Sequence, residues 1–235
     1  MNEPTNHPAI FLEVIAASVA DALAAERGGA HRIELISRFD LGGLTPPLEL
    51  VREVVSRVRI SVRVMLRHSE DFEVRDESEG AKLCATARDL AANGIDGLVC
   101  GFLLDGAVDE RLLARVLASA PNLRVTFHRA FEQLRDPLAA IHRLKSYPQI
   151  DRILTSGTGA TLTQRIAQLA ACEAAARPEI SILAGGGMEA ATIQAIRRQT
   201  GIREFHIGRG VRRPATVDGA VDAARVREWL GYLEA

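Results

Sequence analysis

Two titratable side chains, His128 and Arg129, follow a strand-forming run of valine, threonine and phenylalanine in the segment RVTFHRAF. Such a run favours the pleated state, and burying a charged pair at its end without a partner is costly. A histidine acts as a general acid or base near neutral pH, and an arginine binds anions. We therefore expect a ligand or partner at this position.

Other β-rich runs carry polar side chains that suit the same chemistry. We predict catalytic roles for four residues, with one histidine as general acid or base and a neighbouring carboxylate tuning its pKa: His128, Glu34, Glu13 and His206. Arg67 and Arg129 would clamp an anionic ligand. The alternative is that Glu13, Glu34 and Arg67 form only a structural ion-pair network and that each histidine is a satisfied core residue.

Glycine-rich segments follow three later runs and form a second, independent feature. Glycines let backbone amides approach an oxyanion, and a helix that starts just beyond adds its positive end. Together with Arg67 and Arg129, the predicted anion-binding residues are Ser156, Gly157, Gly186, Gly187 and Arg209. The alternative is that these glycines only form tight strand-to-helix connections.

The remaining reactive residues exclude several classes of protein. Both lysines, Lys82 and Lys145, fall in predicted helices, which excludes Schiff-base and pyridoxal phosphate chemistry. The three cysteines form no CxxC pair, which argues against a disulfide framework or a tetrathiolate zinc site, and Cys100 is interpreted as a small buried hydrophobe. Two histidines and a carboxylate suit a divalent metal, but no HxH or HExxH spacing supports one, so the metal stays open.

The elements that position these residues alternate between strands and helices. The predicted strands are Ile10 to Ile15, Arg32 to Ser37, Ser61 to Arg67, Gly97 to Phe102, Arg124 to Arg129, Arg152 to Ser156, Ser181 to Ala184 and Glu204 to Ile207. The predicted helices are Val19 to Arg27, Leu48 to Arg57, Glu79 to Asn93, Glu110 to Ser119, Pro137 to Ser146, Leu162 to Ala176, Ala190 to Gln199 and Val221 to Leu233. Eight such units predict one α/β domain over residues 1–235, a TIM (β/α)₈ barrel, with a doubly wound open sheet as the alternative.

Barrel closure gathers the polar side chains at one end. Because strand residues alternate between lumen and helix layer, we expect five to converge in or above the lumen: Glu13, Glu34, Arg67, His128 and His206. The loops after strands would form the site, and the acidic loop His68 to Glu77 is either a solvated loop or a lid over that site. Thr45 is predicted to cap the second helix, with Pro46 at its first position.

Charge and hydropathy indicate the kind of partner. Twenty-nine basic and thirty acidic residues leave a net charge of -1, so no field draws the chain to nucleic acid or an anionic membrane. The N-terminal residues MNEPTNHPAI lack the pattern of a signal peptide, and no apolar run is long enough to span a membrane. We expect a cytoplasmic protein with a small anionic molecule as ligand.

An ordered set of motifs across nearly the whole chain resembles the CutC family, whose members are called copper homeostasis proteins. The motifs are HRIELIS with GGLTP, VMLR followed by DF, VTFHRAF, DRILTSG, AGGG and REFHIGR. The resemblance implies a TIM barrel, a cytoplasmic location, commonly a homodimer, and copper as the bound ion, with no settled reaction. The family usually reads IELC in the second strand, with the cysteine as proposed copper ligand, whereas this chain has Ile36.

Two functions therefore remain open at the level of sequence. One is copper homeostasis with copper binding, which the resemblance implies. The other is an enzyme of lyase or isomerase type that acts on a small anionic, phosphorylated or sugar-like substrate at the carboxyl-terminal mouth of the barrel. The residues alone indicate no cofactor.

Overall fold

The computed structural model describes residues 10–74 and 76–234. The first nine residues, where we expect no signal peptide, and Arg75 in the predicted lid lie outside this range. Among the described residues, no helix combines the length and the apolar character that a membrane span needs.

Eight parallel strands pair in chain order, and the eighth pairs with the first, so the sheet closes into a barrel. This confirms the predicted (β/α)₈ fold. The barrel strands are β1 (Phe11–Ala16), β2 (Arg32–Leu35), β3 (Ser61–Met65), β4 (Gly97–Cys100), β5 (Arg124–Phe127), β6 (Ile150–Thr155), β7 (Ser181–Gly185) and β8 (Glu204–Ile207). The helices are α1 (Val19–Gly28), α2 (Leu48–Arg57), α3 (Glu77–Ala91), α4 (Glu110–Ser119), α5 (Pro137–Leu144), α6 (Leu162–Ala176), α7 (Ala190–Thr200) and α8 (Ala223–Glu234).

Several strands end sooner than predicted because the chain leaves the sheet to bond with its own loops. β2 ends at Leu35 instead of Ser37, whose backbone pairs with Leu44 across the following loop. β5 ends at Phe127, and the next residue, His128, caps a short 3₁₀ helix. Predicted site residues that were assigned to strand ends therefore lie in the first residues of the loops.

The prediction that Thr45 caps the second helix is wrong. α2 begins at Leu48, and Pro47 occupies the N-cap position. The Thr45 hydroxyl instead accepts the Arg67 amide at 2.9 Å and donates to the Arg67 carbonyl at 3.1 Å. These bonds tie the loop after β2 to the end of β3.

Helix boundaries move for similar local reasons. α3 begins at Glu77 instead of Glu79, because the Asp76 carboxylate accepts the Glu79 amide at 2.9 Å and caps the helix. α8 begins at Ala223 instead of Val221, because Val221 pairs with Arg212 in a two-stranded hairpin.

The apolar core lies between the strands and the helices. Leu12 and Val14 of β1 are fully buried on that side, and Glu13 between them contacts the lumen residues Arg32 and His206. The same period of two places the polar residues of the other strands inside the barrel.

Arginines fill the lower part of the lumen, at the amino ends of the strands. Arg63 donates to both carboxylate oxygens of Asp151, at 2.7 and 2.6 Å, and to Asp96 at 3.0 Å. The guanidinium carbons of Arg32 and Arg152 lie 4.7 and 5.2 Å from the centre of the Phe11 ring. This floor is a packed, charge-balanced layer.

Candidate functional site

Three titratable residues meet inside the barrel, and we call Glu13, Glu34 and His206 the lumen cluster. Glu13 of β1 pairs in register with His206 of β8, and its Oε1 lies 2.7 Å from the histidine Nδ1. On the other side of the ring, Nε2 lies 3.6 Å from Glu34 Oε2, which is longer than a hydrogen bond. One imidazole therefore lies between two carboxylates.

The two carboxylates differ because only one has an arginine. Arg32 Nε donates to Glu13 Oε2 at 2.6 Å, whereas Glu34 Oε1 is buried without a hydrogen-bond partner. Burial by itself would raise the pKa of Glu13, but Arg32 and the hydrogen bond from His206 outweigh it and hold this pKa far below its usual range. Burial raises the pKa of Glu34 to about 7. Glu13 is thus a fixed anion, and Glu34 titrates near neutral pH.

The pKa of His206 depends on the charged groups around it. Burial by itself would lower the pKa of this imidazole, but the Glu34 and Glu13 carboxylates raise it above its usual value. The Glu13 contact at Nδ1 fixes the ring so that Nε2 faces Glu34. The lumen cluster therefore places a carboxyl group that titrates near neutral pH beside Nε2 of a histidine, and these two groups suit general acid-base chemistry.

An apolar group lies beside the lumen cluster. Ile15, Ile36, Met65 and Val99 form a small cluster of their own, and Phe39 from the loop after β2 packs against it. A side chain at Gly208 would lie 2.8 Å from Phe39 Cζ and 2.9 Å from Ile15 Cδ1. The aromatic ring therefore closes over the end of β8, and little of the lumen cluster is exposed.

Arg67 and His128 lie at the mouth of the barrel, and we call them the rim pair. Both contact Phe72 of the predicted lid: the guanidinium carbon lies 4.6 Å from the ring centre, and the imidazole centre lies 5.0 Å from it. Arg67 also donates to the carbonyls of Gly43, at 3.3 Å, and Glu70. Arg67 thereby joins the loop after β2 to the loop after β3.

Both members of the rim pair keep an unused donor. His128 Nδ1 accepts the Ala130 amide at 3.2 Å, so the neutral ring carries its proton on Nε2. Burial and the nearby Arg67 charge lower the pKa of His128 to about 3, which keeps it neutral. His128 Nε2 and Arg67 Nε are both buried without a hydrogen-bond partner among the described residues. Buried donors of this kind normally bind an acceptor.

The loops after β6 and β7 form what we call the β6 edge, made of Thr155–Gly157 and Gly186–Gly187. Here the Ser156 amide donates to Glu132 Oε1 at 2.7 Å, and the Gly157 amide donates to the Thr155 hydroxyl at 3.1 Å. Arg129 is half exposed and donates to Glu132 Oε2 at 2.6 Å.

The other predicted anion-binding residues lie apart from those contacts. A side chain at Gly186 would lie 3.6 Å from the Arg129 guanidinium carbon, whereas one at Gly187 would enter open space. Arg209 begins the short 3₁₀ helix after β8 and is exposed. The anion-binding roles of these residues stay predictions.

The structure groups the predicted residues differently from the single convergence we expect. Of the two candidate histidines, His206 is the one that lies against Glu13 and Glu34, so these carboxylates are placed to tune His206 and not His128. Arg67 bonds to loop carbonyls, so the alternative in which it pairs with those carboxylates is wrong, and Arg32 takes that place. Arg32 and Glu34 are two residues apart in β2 and therefore face the same side of the strand. The alternation of strand residues could thus have predicted Arg32 as a lumen residue.

Sequence reasoning misses three contributors from the loops. Phe39 and Phe72 cover the mouth, and no local pattern assigns an aromatic ring in a loop to a place above the lumen. Glu132 has a clearer signal, because it lies three residues after Arg129, and residues at this spacing eclipse each other in a 3₁₀ helix.

The model of the CutC family matches residues 10–211. The chain belongs to the CutC family. A CutC family protein of Xanthomonas campestris pv. campestris (strain B100) is 38% identical over 196 residues, which cover 83% of this chain and 81% of the relative. The human copper homeostasis protein cutC homolog is 36% identical over 197 residues, covering 83% and 72%.

A solved CutC structure extends the likeness to three dimensions. The putative copper homeostasis protein CutC from Streptococcus agalactiae superposes with a TM-score of 0.78 at 26% identity, over 85% of this chain and 98% of that one. The CutC assignment and the barrel fold therefore agree.

The residues present do not fit the copper site that the CutC resemblance implies. Cu(I) prefers thiolate ligands, but Ile36 presents hydrocarbon at the usual cysteine position and is buried among other apolar side chains. Cys100 is fully buried, and burial raises the pKa of its thiol to about 12. Among residues 10–74 and 76–234, no group of three or more histidine, cysteine, aspartate or glutamate side chains suits a metal ion.

Proposed function

We propose that this chain acts in copper homeostasis, as the names of its relatives say, through an acid-base reaction on a small anionic molecule at the barrel mouth. The observation that carries this proposal is the position of His206 between a fixed carboxylate, Glu13, and a titrating one, Glu34. The reaction is of lyase or isomerase type, because such reactions move protons and need no further reactant.

The proton chemistry follows from the unequal carboxylates. Glu13 and Arg32 hold His206 in one orientation, so its Nε2 faces Glu34. Glu34 takes a proton from the ligand or returns one, and a pKa of about 7 suits both directions. His206 supplies the compensating positive charge.

The anionic character of the ligand is supported by the rim pair. A carboxylate that binds between Arg67 and His128 satisfies the unused Nε and Nε2 donors and meets the positive charge of Arg67. We expect the ligand to displace Phe39 and Phe72, because Phe39 packs on the apolar cluster beside the lumen and Phe72 packs on the rim pair. Cytoplasmic location and a homodimer belong to this proposal as expectations from the resemblance.

Anion binding is tested with malonate and acetate, measured by heteronuclear NMR of backbone amides and histidine rings at millimolar concentration. We expect shifts at His128 and Ala130 in the wild type, loss of these shifts in Arg67→Met, and their retention in Glu34→Gln. An absence of any perturbation at the mouth with either anion contradicts the proposal.

Direct copper binding by this chain is tested by titration with Cu(I) in the presence of a competing chelator. We expect no stoichiometric binding, because the described residues lack a thiolate site. Tight binding at one equivalent that Cys100→Ser or His128→Ala abolishes would make direct copper coordination the function instead.

A further inference from the structure

Glu132 occupies the position at the β6 edge where an external anion would bind. Its Oε1 accepts the Ser156 amide at 2.7 Å and lies 3.5 Å from the Thr155 hydroxyl oxygen. Its Oε2 accepts two bonds from Arg129, at 3.0 and 2.6 Å. These partners are an amide, a hydroxyl and a guanidinium, which is the donor set that recognises oxyanions.

Local structure explains why this carboxylate reaches the β6 edge. His128 caps the 3₁₀ helix Arg129–Gln133, whose turns place Arg129 and Glu132 on the same side. Ala130 and Phe131 are buried and fix the opposite side of the helix. Glu132 is largely buried, with 14% of its side chain exposed, so the carboxylate is held in place.

We propose that Glu132 is a built-in anion that determines specificity: it fills the oxyanion position of the β6 edge and excludes ligands that place a phosphoryl group there. A tethered carboxylate competes at an effective concentration of about millimolar or higher, so dilute free phosphate does not displace it. A phosphate beside Glu132 would also meet like charge. Burial by itself would raise the pKa of Glu132, but Arg129 and the Ser156 amide hold it below the usual value, so the charge persists at neutral pH.

This inference also narrows the class of ligand in the proposed function, and in that respect it rests on the proposed function. If the ligand is anionic, its charged group lies at the rim pair, Arg67 and His128, and the portion near the β6 edge carries no phosphate. The ligand is then one that places no phosphoryl group at the β6 edge, and a small carboxylate bound at the rim pair meets this condition. The occupation of the β6 edge by Glu132 is independent of the proton chemistry.

The test is the binding of inorganic phosphate to wild type and Glu132→Ala, measured by calorimetry and by amide shifts at Ser156 and Gly187. Removing the carboxylate leaves the Ser156 amide and the Arg129 guanidinium open beside Gly186. We expect Glu132→Ala to bind phosphate about tenfold or more tightly than wild type. The double variant Arg129→Ala with Glu132→Ala should lose this gain.

Glu53→Ala is the matched control, because it also removes one carboxylate from an exposed arginine, Arg57, but on α2. It should bind phosphate no better than wild type. Glu132→Ser, which also empties the position, repeats the test if circular dichroism shows that Glu132→Ala is unfolded. The inference is overturned if wild type binds phosphate at Ser156 as tightly as the Glu132 variant does. It is also overturned if a folded Glu132 variant binds phosphate no more tightly than wild type. Malonate binding at His128 in wild type separately reports on the proposed function.

Discussion

Glu13 and Glu34 are chemically similar carboxylates around one imidazole, and their surroundings give them different protonation. Glu13 has Arg32 at 2.6 Å, whereas Glu34 has an oxygen without a partner. Titratable pairs whose environments separate their pKa values are typical of acid-base sites. The same contrast makes separate predictions for the two residues.

Glu34→Gln should weaken the pH dependence of folding. Burial raises the pKa of Glu34 from 4.5 to about 7, so its protonated form belongs to the folded state. The corresponding stability is fully present below pH 4.5 and is lost as the pH rises through about 7. Glutamine mimics the protonated acid, so at pH 8 the variant should exceed wild type by about 1–2 kcal/mol in urea unfolding. A variant with the wild-type pH slope would contradict this.

Glu13→Gln should have the opposite sign. The pKa of Glu13 is lowered in the folded protein, so its contribution to stability is present above the unfolded pKa and is lost on acidification. Removing this charge leaves Arg32 buried without its carboxylate. We expect a loss of about 3–5 kcal/mol near pH 7, measured by the same urea unfolding. Unchanged stability at pH 7 would show that the Glu13 and Arg32 pair contributes nothing.

At the scale of elements, the regular parts of the fold were predictable and the loops were not. The period of two in IFLEVI places Glu13 inside the barrel, and the structure confirms it. The loop after β2 has no such period. Its Thr45 hydroxyl bonds to the end of β3 and not to α2, and its Phe39 packs over the mouth. Such contacts depend on distant chain segments, which local patterns do not specify.

Arg67→Met should loosen the two loops that cover the mouth. The guanidinium donates to the Gly43 and Glu70 carbonyls and stacks on Phe72, so one side chain holds both segments. Methionine keeps much of the apolar contact but makes none of these hydrogen bonds. We expect faster amide hydrogen exchange in residues 38–45 and 68–74, and a global stability loss of about 1–2 kcal/mol.

Arg38→Ala is the matched control for loop opening, because Arg38 lies in the same loop but its guanidinium forms its ion pair with Asp40, an exposed residue of that loop. Its hydrogen-exchange pattern should stay close to that of wild type. If Arg67→Met leaves both loops as protected as they are in wild type, Arg67 does not join them.

The barrel has two polar ends that differ in how their charged side chains are paired. At the floor, arginines and carboxylates neutralise one another at short distances, as Arg63 does with Asp151 and Asp96. At the mouth, the rim pair keeps donors without acceptors. In TIM barrels the carboxyl-terminal end carries the chemistry and the opposite end carries stability. The ion pairs of the floor agree with that division, and Nη2 of the floor residue Arg32 is the exception among the described residues, because it is buried without a hydrogen-bond partner.

Arg63→Met should therefore damage stability and leave the mouth intact. Arg63 is 1% exposed, and its loss leaves Asp151 without two hydrogen bonds in the barrel floor. Asp151 is 22% exposed and keeps its bond from Arg152, so we expect a loss of about 2–3 kcal/mol, below the range for a fully buried pair, and urea unfolding measures it. Arg57→Ala, which breaks an exposed pair on α2, should cost about 0.5 kcal/mol or less. In folded Arg63→Met, malonate should shift His128 as in wild type. Loss of malonate binding with little loss of stability would show that the floor serves the ligand and not the fold.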